Sequence, residues 1–189
     1  MIRSLPVWRS TCREQKISMN KNNEKILSLA KNLHEDLKKA YHPPEEGFQA
    51  ESQSVIPISV VRGTRGYIEK VANQVNGCYE KGWYDACAVM IRRLIETLLV
   101  EAFENKKIEN KIKNSQGDFL FLDEIIDKTL SEPSWNLSRN SKQALPRLKK
   151  IGDLSAHSRR YNAHYKDIEA IINDVRIVVQ EFVYLASLK

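Results

Sequence analysis

The stretch YDACAVMIRRLIETLLVEAFEN, Tyr84 to Asn105, decides the fold. Wound at 3.6 residues per turn, its Val89, Leu94, Leu98, Leu99 and Phe103 point in nearly every direction. A helix that is apolar all round must be covered by neighbours, so this segment is expected at the centre of its domain. It does not read as a membrane span: Arg92, Arg93 and Glu96 interrupt it. No run in the chain reaches the roughly 18 apolar residues that a bilayer requires.

Helical patterns flank this segment on both sides. Upstream, Thr64 to Glu80 turns Ile68, Val71, Val75 and Cys78/Tyr79 inward, and Gly82 in KGW breaks it. Downstream, the polar NKKIENKIKNSQGD reads as a loop, and Phe119 to Leu130 as a helix with Phe119, Leu122, Ile125 and Ile126 inward. SEPSWN separates that helix from a fifth, Ser141 to Ala156. A sixth, Lys166 to Leu188, carries Ile168, Ile171, Ile172, Val175, Val178, Val179, Phe182 and Leu185 at amphipathic spacing. Nearer the N-terminus, Asn22 to Ala40 forms a helix with Ile26, Leu29, Leu33 and Leu37 in one stripe, stopped by Pro43 and Pro44. Residues 43–61 read as a linker in which SVIPISVV packs as an extended segment. No repeat or strand pattern competes. The expectation is an all-α, single-domain, up-and-down bundle of about six helices. Residues 1–18 are expected to be a disordered tail, with Met19 a candidate natural start. Residues 19–61 supply the N-terminal helix and linker, and 62–189 the bundle.

Composition narrows the function classes. Of the 189 residues, 42% are hydrophobic and 29% charged, as in a globular protein, and 7 Gly with 6 Pro argue against a turn-rich β architecture. The N-terminus lacks the continuous apolar core of a signal peptide, so a cytoplasmic location is expected. Cys12, Cys78 and Cys87 show no CxxC spacing, and the 4 His share no ligand spacing with them. No disulfide framework, metal site or cofactor is expected. The net charge is +6, yet eight Lys/Arg face one acid, Asp153, between Arg139 and Lys166. A concentrated basic region is the electrostatic footprint of a polyanion binder, and equally that of a solvated charged face.

Within that region lies KKIGDLSAHSRR, Lys149 to Arg160. At 100° per residue with Lys150 at zero, Ala144, Leu148, Ile151 and Ser155 gather on the buried side. Lys150, Asp153 and His157 fall at about 0°, 300° and 340° on the other. A cation, a carboxylate and an imidazole are thereby aligned, with Asp153 and His157 an i,i+4 pair. Gly152 has no side chain, so another helix or a ligand can approach the backbone there. On the central helix, Asp85, Arg92 and Glu96 share a face, with Arg93 close by. An Arg92–Glu96 ion pair is expected, since unpaired charges on so apolar a helix are costly. Either arginine alternatively serves a phosphate.

Two segments together, CYEKGWYDACAVMIRRLIETLLVEAFE at 78–104 and LPRLKKIGDLSAH at 145–157, resemble an uncharacterised bacterial family of the HEPN superfamily (higher eukaryotes and prokaryotes nucleotide-binding). The resemblance runs from about Arg62 to Leu188. It implies an all-α bundle, commonly a homodimer. Many such proteins are metal-independent ribonucleases of defence or toxin–antitoxin systems, and others are non-catalytic binding modules. Active members carry Arg, four to six residues, then His. Here the six-residue spacing back from His157 reaches Lys150, which lacks the planar fork of arginine. A literal match, Arg159 to His164, spans about 140° of helix, so its side chains diverge.

The resulting expectation is a dimeric domain that binds RNA or a nucleotide. Lys150, Asp153 and His157 form its site, and Lys149, Arg159, Arg160 and Arg93 hold phosphates. In a cleaving enzyme His157 is the general acid–base and Lys150 stabilises the phosphorane. The rival expectation is a non-catalytic dimeric module that contacts a protein partner. Neither involves a membrane.

Overall fold

The structure, a computed structural model, describes residues 23–36 and 54–189. The chain divides into two units, Met1–Pro43 and Pro44–Lys189. In the first, residues 23–36 form helix α1, on which Ile26, Leu27, Leu29 and Leu33 are exposed. The expected tail, Met19, Cys12, Leu37, the Pro43–Pro44 stop and the linker up to residue 53 lie outside the described residues.

The second unit holds α2 (Ile58–Val61), α3 (Gly66–Glu80), α4 (Tyr84–Asn105), a 3-10 turn (Glu109–Ile112), α5 (Leu122–Ser131), α6 (Arg139–His157), α7 (Tyr165–Glu169) and α8 (Ile172–Leu185). It is an all-α bundle, with no strand among the described residues. As its composition requires, α4 is the hub: it packs against α3, α6 and α8, and Ile91, Leu94, Ile95, Leu98, Leu99 and Phe103 are almost wholly buried. Gly82, at φ +70°, reverses the chain between α3 and α4, a conformation that side chains with a Cβ disfavour. Against α4, α3 turns Ile68, Val71, Val75 and Tyr79. Cys87 is buried in the α4 core, and burial pushes its thiol up to about 12, so it behaves as a small apolar side chain.

Three elements differ from the sequence reading. SVIPISVV is not extended throughout, because α2 closes a helical turn after Pro57. Its preceding residues Val55 and Ile56 are fully buried, so the core begins ahead of residue 62. Asn76 holds this segment by accepting from the Ile56 N–H at 2.9 Å and donating to the Ile56 carbonyl at 2.8 Å. Arg176 of α8 donates to the Val55 and Ser54 carbonyls at 3.0 and 2.6 Å.

The helix expected from Phe119 begins instead at Leu122, where the Glu124 carboxylate accepts from the Phe121 N–H at 3.2 Å. Phe119 pairs with Lys113 in an isolated bridge and is exposed, with the Lys113 ammonium 5.1 Å from its ring centre. The long sixth helix is two helices. Ile171 N–H bonds back three residues to the Ile168 carbonyl at 3.0 Å, and this tighter turn interrupts the ladder between α7 and α8. The apolar stripe survives the break, with Ile168, Ile171, Ile172, Val175 and Val178 all buried.

Candidate functional site

The site is built around the contact of α4 with α6. Ser138 caps α6, its hydroxyl accepting from the Ser141 N–H at 3.1 Å. Glu181 of α8 braces that cap, accepting from the Ser138 N–H and hydroxyl at 2.6 and 2.7 Å and from the Ser141 hydroxyl. Ala144, Leu145 and Leu148 then anchor α6 in the core. One turn later, Gly152 meets α4. A Cβ added there would lie 2.5 Å from Arg92 Cβ, so the two helices approach within a distance only glycine permits. The sequence reading allowed a helix or a ligand over Gly152; the helix occupies it.

That approach carries Arg92 across to α6. Its Nε donates to Asp153 Oδ1 at 2.8 Å, and a terminal nitrogen donates to Glu96 at 3.2 Å. Lys149 donates to the other Asp153 oxygen at 2.6 Å. Lys149, Asp153, Arg92 and Glu96 thus form one chain of alternating charge spanning both helices. Burial opposes ionisation of Asp153, but the hydrogen bonds from Lys149 and Arg92 outweigh it and hold the carboxyl below the usual range. The expected Arg92–Glu96 pair is present, and Arg92 serves two carboxylates. Both oxygens of Asp153 are engaged by these cations, so its partners are Lys149 and Arg92 rather than His157.

Beside this network an open groove of about 590 Å³ runs between α5 and α6. Lys149, Lys150, Asp153 and His157 line one wall, Asp123 and Asp127 the other, and Ile126, Pro146 and Leu154 supply apolar lining. Lys150 and His157 are exposed and make no side-chain hydrogen bond or ion pair among the described residues. Arg159 and Arg160 follow the end of α6 and are exposed. Arg93 is elsewhere, lining a separate depression of about 390 Å³ with Glu96, Thr97, Val100 and Glu101.

The structure therefore brings Lys149, Lys150, Asp153 and His157 to one groove and leaves Arg93 out of it. Asp85 does not join the Arg92–Glu96 set; its carboxylate accepts from the Ala163 N–H at 2.9 Å. His164 caps α7, with its N–H donating to Asp167 at 2.9 Å. Sequence reasoning missed the acidic wall. Asp123 and Asp127 are an i,i+4 pair on the polar face of α5, but periodicity does not say which helix that face meets. Among the described residues no group of three or more His, Cys, Asp or Glu gathers to hold a metal ion, and no helix is long and apolar enough to cross a membrane.

Comparison with known families places residues 73–189, more than half of the chain, within the family model described as "Domain of unknown function (DUF4145)". No curated protein and no solved structure matches the chain.

Proposed function

We propose, for a chain that belongs to the DUF4145 family, that the α5–α6 side is a HEPN-like surface that binds the phosphates of RNA or a nucleotide. One observation carries this reading. Lys150 and His157 line the same groove without partners among the described residues, on a helix whose orientation the Arg92–Asp153 pair fixes. Cations already spent on carboxylates have little left for a ligand; these two keep their hydrogen-bonding capacity. Arg159 and Arg160, exposed just past His157, extend the positive surface. Asp153 is a positioning residue in this account, and Lys149 divides its charge between Asp153 and the groove.

The geometry favours binding over cleavage. Internal attack on RNA requires one proton removed from the 2′-hydroxyl and one delivered to the leaving oxygen. His157 supplies one such group, and Asp153 is committed to Arg92 and Lys149. A second His157, from another copy of the chain, would supply the other in a homodimer.

The test is anisotropy of a labelled single-stranded RNA with the full chain over rising KCl. Binding that weakens steeply with salt is expected. Absence of salt-sensitive binding to RNA or nucleotides would sink the proposal and favour a protein-interaction module. RNA fragments that accumulate in EDTA, and disappear with His157→Ala, would replace binding by metal-independent cleavage.

A further inference from the structure

The groove has two walls of opposite sign. Among the described residues, Lys150 and His157 on α6 are unpartnered, and so are the carboxylates of Asp123 and Asp127 on α5. A ligand that presented phosphate to both walls would leave two carboxylates facing negative charge. A wholly cationic ligand would face Lys150 instead. The complementary ligand carries an anion at one edge and hydrogen-bond donors at the other, with a body that can lie against Ile126 and Leu154. The volume of about 590 Å³ falls in the range of roughly 300–1,000 Å³ typical of small-ligand sites.

Resting on the phosphate-binding reading above, we infer that the groove selects guanine: its base faces Asp123 and Asp127 while its phosphate meets Lys150 and His157. The four bases differ in what they offer a carboxylate. Guanine presents the ring N1–H and the exocyclic amino group side by side, two parallel donors that match the two oxygens of one carboxylate. Adenine and cytosine present an amino group beside a ring acceptor. Uracil presents a single N–H between two carbonyls, whose lone pairs oppose the carboxylate. Bases exposed in single strands are read on these same edges. The acidic wall thus gives a reason for base preference, and the basic wall a reason for affinity.

Calorimetric titration of the full chain with 5′-GMP, AMP, CMP and UMP in one buffer tests the inference. GMP is expected to bind about tenfold more tightly than UMP. Asp123→Asn with Asp127→Asn should abolish that preference while UMP binding holds or strengthens, because carboxylate repulsion of the phosphate is reduced. Both positions are exposed, and circular dichroism verifies the fold of the variant. Equal affinity for the four nucleotides, or a GMP preference that survives the double substitution, overturns the inference and leaves phosphate binding standing. No binding of any of the four overturns the inference, and overturns the phosphate-binding reading as well only where the labelled RNA also fails to bind.

Discussion

Gly152 lies directly under Arg92: a methyl group on Gly152 would sit 2.5 Å from Arg92 Cβ and 3.1 Å from its Cγ and Cδ. The nearest of these atoms is fixed to the α4 backbone and cannot swing aside. Gly152→Ala would gain about 0.5–1 kcal/mol of helix propensity. Against this, overpacking a helix contact costs about 1–3 kcal/mol. Because relief requires α4 and α6 to separate, the clash should win, with a net loss of about 1–2 kcal/mol and a melting temperature lower by a few degrees. Thermal and urea melts check it; an unchanged midpoint would mean the helices are not this close.

The same contact sets an acid dependence. Asp153 has a carboxyl pKa lowered on folding: burial works against ionisation, and the hydrogen bonds from Lys149 and Arg92 prevail. A group lowered in this way adds stability above its unfolded pKa of about 3.9, and the gain disappears as pH falls through the folded value. Asp153→Asn should therefore cost about 1–2 kcal/mol at neutral pH, the partial exposure of the pair having been allowed for. Urea midpoints of the variant and the unmodified chain should converge below about pH 4. A gap that persists undiminished in acid would assign the loss to packing rather than to charge.

The bundle was legible because its signal is periodic. Tyr84–Asn105 is the hub, and α3 turns inward the residues its spacing indicates, whereas on α6 Ala144 and Leu148 are buried and Ile151 and Ser155 only half-buried. Two ends were misread for local reasons. Phe119 is apolar yet precedes a helix whose start Glu124 caps, and Ile171 forms a tight turn inside an unbroken apolar stripe. At the site, the face holding Lys150, Asp153 and His157 followed from helical geometry alone. What periodicity cannot reach is partnership between helices. Spacing pairs Asp153 with its own-helix neighbour His157, but the carboxylate bonds Lys149 one turn earlier on α6 and Arg92 on α4, sixty-one residues earlier. Gly152 was the one local hint of that approach.

A second tertiary link of this kind joins Asn76 to Ile56. The side-chain amide satisfies both backbone groups of a residue that is completely buried. Asn76→Ala strands a donor and an acceptor away from water, at a cost of about 1–3 kcal/mol for each group left unsatisfied. The total loss should be about 2–4 kcal/mol in urea unfolding. Amides of residues 54–61 should also exchange faster in hydrogen–deuterium measurements. Protection that stays at the native level across this segment would show that other contacts hold it.

Binding at the α5–α6 groove separates two cations that the sequence alone treats alike. Lys150 lines the groove, whereas Arg93 lines the depression with Glu96 and Glu101. Each phosphate contact on a single strand contributes about 0.7 to the slope of log affinity against log salt. Lys150→Ala should therefore lower that slope by about 0.7 and weaken RNA binding several-fold at low salt. His157→Ala should weaken binding as well, and neither exposed residue is needed for the fold. Arg93→Ala removes the same charge from the other depression and should leave affinity and slope unchanged. Anisotropy titrations of the three variants, with melts to confirm folding, decide it: equal losses in Lys150→Ala and Arg93→Ala would mean that net charge, not this groove, holds the RNA.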